Sequence, residues 1–216
     1  MHRPAPFRLE DGDALAQAMA HAPFATLITQ DADGWLADHL PLLREPECEG
    51  APLGVLRGHI ARANPLLAGA TPRPALAIFH GPQAYITPSW YPAKQEHGRV
   101  VPTWNYQVVH AHGTLRLIDD ASWLRNTVAA LTNHFERDRA HPWSIDDAPA
   151  AYIDGMCRGI VGIELRIERL EGQRKASQHK PDAERAAIQR GLVEERGLDE
   201  ATARCLSGME ESDERH

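Results

Sequence analysis

A hairpin signal near the N-terminus commits this chain to antiparallel pairing. Residues 24–29 (FATLIT) are an apolar, β-branched run, and Asp33-Gly34 is a turn pair suited to a tight hairpin. Residues 35–43 return as a second strand. Further strands are expected over 53–60 (LGVLRGHI), 75–79 (ALAIF), 84–87, 105–118 and 159–170 (GIVGIELRIERL). In 105–118 apolar and polar residues alternate until Gly113, which suggests a bulge or bend. Helices are rarer. Asp11 or Asp13 caps one over 14–21, Pro65 opens a short one to residue 70, and Asp119-Asp120 caps one carrying Trp123, Leu124, Val128, Leu131 and Phe135. Residues 148–157 and 182–206 complete the set. Strands at hairpin spacing without alternating helices exclude a doubly wound parallel sheet. They predict a mainly β fold with helices (α+β), an antiparallel, closed or partly closed barrel with peripheral helices. The expected division is a barrel domain over 1–180 and an acidic helical extension over 181–216.

Chemistry concentrates in residues 80–113. Tyr85, Trp90, Tyr91, Trp104 and Tyr106 stand there in a chain that is only 6% aromatic. Pro82, Pro88, Pro92 and Pro102 restrict the backbone, so less entropy is lost when the loop orders. Lys94, His97, Arg99, Thr103 and Asn105 supply donors for an anionic or heteroaromatic ligand.

Two other clusters suit an anion. LRGHIARAN puts Arg57, His59, Arg62 and Asn64 at the end of a strand, where guanidinium groups bind phosphate bidentately. GQRKASQHK adds Arg174, Lys175, Ser177, Gln178 and Lys180. His110 and His112 share one strand face, and with His80 or His97 they are candidate metal ligands; the absence of a supporting acid or cysteine favours hydrogen-bonded histidines instead, and no metal is expected. Ser89 has no identifiable base, and no nucleophile elbow, Walker loop or Rossmann fingerprint occurs.

A net charge of −7 gives no footprint for nucleic acid. Cys48, Cys157 and Cys205 are widely spaced and odd in number, which reads as thiols in a reducing compartment. Without a leader-like or membrane-length apolar run, a soluble cytoplasmic protein is expected, with no membrane partner.

The run GPQAYITPSWYPAKQEHGRVVPTWNYQVVHAHGTLRLIDD, with LRGHIARANPL before it and VGIELRIERLEGQRKASQ after it, resembles the PaiB family of FMN-binding negative transcriptional regulators. The resemblance extends from the N-terminal helix to about Leu192 and departs from the family's QN(K/R) pattern at His179. It implies an FMN-binding split β-barrel, normally a homodimer with flavin at the subunit interface, and a role in repressing sporulation and degradative-enzyme genes. FMN also suits the residues: Tyr85, Trp90 and Trp104 for the ring, Lys94, Thr103 and Asn105 for its edges. Arg57 and Arg62, with His59, Asn64, Lys175, Ser177 and Gln178, are expected to serve the phosphate. DNA binding is implied by the resemblance but opposed by charge. From residue 180 onward six Lys/Arg face ten acids, a net −4, and the segment beyond Arg196 is expected to be dispensable for the barrel. An FMN-dependent oxidoreductase of the split-barrel reductase or oxidase type is the alternative.

Overall fold

A computed structural model describes residues 1–32, 34–46, 50–69 and 71–209. In chain order its elements are β1 (Arg8–Leu9), α1 (Gly12–His21), β2 (Phe24–Asp31), β3 (Gly34–Pro41), β4 (Leu43–Glu45) and β5 (Val55–Ala61). Then follow β6 (Arg73–Ile86), α2 (Pro92–Glu96), β7 (Thr103–Ile118), α3 (Ala121–Glu136), α4 (Ala150–Cys157), β8 (Ile160–Lys175), α5 (Asp182–Glu194) and α6 (Glu200–Ser207). One antiparallel sheet runs in the order β3-β2-β6-β7-β8-β5-β4, with β1 added to the end of β8. The path is open, as in a split barrel.

The described chain divides into two units. The barrel unit comprises Met19–Phe79 and His110–Leu170. Here the predicted hairpin forms in full register, from Phe24 opposite Pro41 to Asp31 opposite Gly34. The expected return strand 35–43 breaks at Leu42, whose N–H turns to the Pro23 carbonyl, and β4 then pairs with β5. The edge strand β3 thus leads directly into the opposite edge, β4, which curls the sheet. Gly58 on β5 permits the approach: a Cβ there would lie 2.8 Å from the Pro41 carbonyl. β7 runs through Gly113, where a Cβ would strike the Arg166 carbonyl of β8, so the residue serves close strand approach. Leu27, Leu56, Phe79, Leu115, Ile163, Leu165 and Ile167 form the buried side of this unit's strands. Their polar alternates Arg57, Arg116, Glu164 and Arg166 take the other side, as a period of two requires.

The second unit comprises Met1–Ala18, His80–Val109 and Glu171–His216. Two expectations change here. The strands predicted at 75–79 and 84–87 are one strand, β6, because the β2 ladder ends at Phe79 and Pro82 therefore interrupts no β2 rung. The aromatic segment is correspondingly shorter, and Tyr85, Trp104 and Tyr106 stand on strands. The second change concerns the C-terminus. Helices α5 and α6 bury Ile188, Leu192, Ala203 and Leu206 against Ala84, Ile86 and Tyr91. Beyond Arg196, Ala203 and Leu206 of α6 are therefore core residues of this unit, where apolar residues at helical spacing outweigh the acidic composition. The acidic residues 210–216 lie outside the described residues.

The caps expected at Asp11 and Asp120 form: Asp11 Oδ1 accepts from the Ala14 N–H at 2.8 Å and Asp120 Oδ1 from the Trp123 N–H at 2.7 Å, while Asp199 Oδ1, accepting from the Thr202 N–H at 2.9 Å, starts a separate helix inside the stretch expected as one.

Candidate functional site

The polar faces of β5, β8 and β7 converge in the barrel unit. Val55 opposes Arg166 and Arg57 opposes Glu164 across the β5–β8 ladder. Thr114 and Arg116 come from β7, Glu168 from β8, and Gly50, Ala51 and Pro72 from the flanking loops. Together they line a cavity of about 450 Å³, within the range of small-molecule sites.

Charge is arranged in layers. Glu164, only 7% exposed, gives one oxygen to Arg57 Nε at 2.9 Å and the other to Arg116. Burial alone pushes its carboxyl up, but the hydrogen bonds from Arg116 and Arg57 outweigh burial and hold it below the ordinary glutamate range. Arg57 is opposed in the same way by its own desolvation, which Glu164 and Glu45 overcome, so its pKa is raised. Its guanidinium also lies 5.6 Å from the centre of the Trp123 ring on α3. Thr114 Oγ1 donates to Glu168 at 2.6 Å. Among the described residues Arg166 has no carboxylate partner, and its side chain is exposed beside Gly50.

The other expected anion donors of this stretch, His59, Arg62 and Asn64, do not line the cavity. Arg62 grips Asp119 through two bonds of 2.9 and 2.6 Å and donates to the carbonyls of Arg158 and Ile160. Asn64 donates to Asp38 at 2.6 Å and caps the 3-10 turn Pro65–Ala68 through Leu66 N–H. His59 is half-buried, and its Nδ1 finds no partner among the described residues. Burial pushes its pKa below the ordinary histidine value. His110 and His112 sit on one face of β7 with ring centroids 6.1 Å apart.

In the second unit, Tyr85 and Trp104 remain exposed and meet edge to face at 6.3 Å. Tyr91 is 2% exposed under Lys180, whose Nζ lies 4.1 Å above its ring, and Trp90 packs against the same core cluster. Trp90, Tyr91, Trp104 and Tyr106 therefore make no common exposed patch. Lys94 donates to Ser89 at 3.2 Å, and Lys175 donates to Thr103. Asn105 is wholly buried, donating to Ser177 Oγ at 2.9 Å and to the Leu206 carbonyl at 2.8 Å. Ser177 holds a positive φ of 60°, and the side chain of Gln178 braces the turn by bonding Ala176 N–H and the Arg174 carbonyl. His179, at the point of departure from the family pattern, packs edge-on against Phe7 at 5.6 Å. Thr114, Arg116 and Arg166 line the cavity without having been expected from the sequence; their signal is the alternation of IELRIERL and HGTLRLI, whose polar half forms the cavity wall.

Residues 1–169 match the family model described as "Putative FMN-binding domain". The chain belongs to this FMN-binding family. It is 32% identical over 203 residues to the Uncharacterized protein AN0679 of Emericella nidulans, covering 80% of each chain. It is 26% identical to the Protease synthase and sporulation protein PAI 2 of Bacillus subtilis, covering 85% of each. In fold it is similar to the Flavocytochrome Anf3 from Azotobacter vinelandii (TM-score 0.57, 11% identity, 81% of this chain and 72% of that one). It is also similar to the FAD and Heme binding protein from Mycobacterium smegmatis (TM-score 0.56, 16% identity, 83% and 79%).

The cofactor of the family is FMN, and the cavity suits its phosphate end. A phosphate monoester needs several convergent donors. Arg116 and Arg166 offer them from neighbouring strands, with Arg57 behind them and the Thr114 hydroxyl on the same wall. Among the described residues no helix is long and apolar enough to cross a membrane.

Proposed function

We propose that this chain is an FMN-binding regulatory protein of the PaiB type, a cytoplasmic homodimer that seats the FMN phosphate in the arginine-lined cavity. The observation that carries the flavin part is Arg166: an exposed guanidinium without a carboxylate partner among the described residues, on the cavity wall of an FMN-family chain. Bound FMN supplies a redox-active isoalloxazine. The chain's part is to anchor the phosphate through Arg166 and Arg116, while Glu164 holds Arg57 and Arg116 apart at fixed spacing. The regulatory reading is supported by the name of the Bacillus relative, which concerns protease synthesis and sporulation. Free thiols at Cys157 and Cys205 support the cytoplasm, and the exposed Tyr85–Trp104 pair supports a protein partner, a second copy first. Direct DNA reading through α6 has less support: Ala203, Leu206 and Ser207 are buried, leaving Glu200 and Ala201 outward. Regulation would then run through flavin state or a bound partner.

An oxidoreductase is the second reading, favoured by the fold shared with a flavocytochrome. Turnover of NAD(P)H by the flavin-loaded protein would select it; salt-sensitive, sequence-dependent retention on its own promoter DNA would select a DNA-binding regulator.

The test of the site is a titration of FMN and riboflavin into wild type, Arg166→Ala and Arg62→Ala. Arg166→Ala should weaken FMN by about ten- to a hundredfold while sparing riboflavin, the worth of one charge-assisted contact. Arg62→Ala should leave the FMN-to-riboflavin ratio unchanged, since its guanidinium holds Asp119 and two carbonyls. An Arg166→Ala protein with the wild-type ratio would move the phosphate elsewhere.

A further inference from the structure

The cavity carries three guanidiniums, Arg57, Arg116 and Arg166, against two lining carboxylates, Glu164 and Glu168. A third carboxylate completes the balance from outside the lining. Glu45, the last residue of β4, is hydrogen-bonded to Arg57 and is 42% exposed. The two carboxylates on Arg57 differ in kind. Glu164 is nearly buried and shared with Arg116, so removing it leaves Arg116 without a carboxylate partner among the described residues and Arg57 with Glu45 alone. Glu45 is half in water and, among the described residues, engages Arg57 alone.

We infer that Glu45 is a built-in counter-ion of the anion site, a specificity-determining residue that weakens FMN binding by neutralising Arg57. The inference rests on the phosphate reading of the cavity. Among the described residues, three arginines face three carboxylates with Glu45 in place; without it Arg57 loses one of its two carboxylates beside the space proposed for a dianion. An incoming phosphate therefore competes with Glu45 for Arg57, and this competition acts on phosphorylated flavin only. Riboflavin, which brings no charge, is indifferent to it.

The experiment titrates FMN and riboflavin into wild type, Glu45→Gln, Glu45→Ala and Arg166→Ala, with inorganic phosphate followed by its shift of the melting temperature. Both Glu45 variants should bind FMN about two- to fivefold more tightly than wild type, the usual worth of a half-exposed ion pair, with riboflavin unchanged. Inorganic phosphate should raise their melting temperature more than that of wild type. Glu45→Ala guards against the residual hydrogen bond a glutamine could keep with Arg57. If FMN affinity stays level or falls in both Glu45 variants while Arg166→Ala abolishes the preference for FMN over riboflavin, Glu45 only holds β4 and the inference fails alone. If Arg166→Ala leaves that preference intact, the phosphate reading of the cavity fails first and takes this inference with it.

Discussion

Leu206 lies in a stretch whose net charge reads as a solvated tail, yet it is wholly buried among Ile188, Leu192, Tyr91 and Ile86. Leu206→Ala removes three carbon atoms from that cluster. Transfer alone costs about 0.8 kcal/mol per carbon, or roughly 2.4 kcal/mol. The unfilled volume adds to this, and buried Leu→Ala changes fall at about 2–5 kcal/mol, so about 3 kcal/mol is expected. For a chain of this size that corresponds to a fall in melting temperature of roughly 6–12 °C. The control is Ala201→Ser on the exposed side of the same helix, which should change stability by less than about 0.5 kcal/mol. Urea unfolding followed by circular dichroism separates the two, provided the slope of the transition is unchanged. A Leu206→Ala midpoint equal to that of the control would refute the packing of α6. A chain ending at Arg196 tests the same point more bluntly: it should be insoluble or unfolded, having lost Ala203 and Leu206 together.

Two further outcomes follow from buried polar groups. Asn105→Ala should cost about 2–4 kcal/mol in the same urea assay, because it leaves the Leu206 carbonyl and the Ser177 hydroxyl of a dry site without their shared donor; a neutral result would mean water reaches them. Acid unfolding should proceed in two windows. The lowered pKa of His59 means the unfolded chain takes a proton first, so stability falls as pH drops through and below the ordinary histidine range. The lowered pKa of Glu164 means its contribution is present above the ordinary glutamate range and disappears only as pH falls through its depressed value. His59→Leu should shrink the upper window, to which the lowered His134 also contributes, and leave the lower one; an unchanged profile would sink the assignment.

Local chemistry was legible in the sequence, and long-range pairing was not. The hairpin from residue 24 to 41, the caps at Asp11 and Asp120 and the apolar half of β8 rest on neighbours in sequence, where turn preference and periodicity decide. The site depends on partners such as Arg57 and Glu164, 107 positions apart, and no periodicity links those two residues. Net charge misled at α6, because burial is decided by the few residues on one helix face and not by the acids on the other. Asn105 shows the same limit. As a polar residue in an aromatic stretch it reads as a ligand donor, while in the fold its amide spans Ser177 and the Leu206 carbonyl.

Exposure separates the two carboxylates on Arg57 by task. Three arginines on adjoining strands would repel one another in the empty barrel, so some acid must stand among them for the face to be stable. A buried acid does this at a cost: the 7% exposed Glu164 cannot be withdrawn without taking a partner from Arg57 and Arg116 at once, and it is therefore a fixed part of the wall. An acid in water can be withdrawn cheaply, because solvent replaces what it loses. Glu45, at 42% exposure, meets that condition, and Arg166 is an exposed residue with no carboxylate partner among the described residues. Fixed neutralisation for stability and exchangeable neutralisation for binding thus fall to different residues, and the difference between 7% and 42% exposure determines which is which.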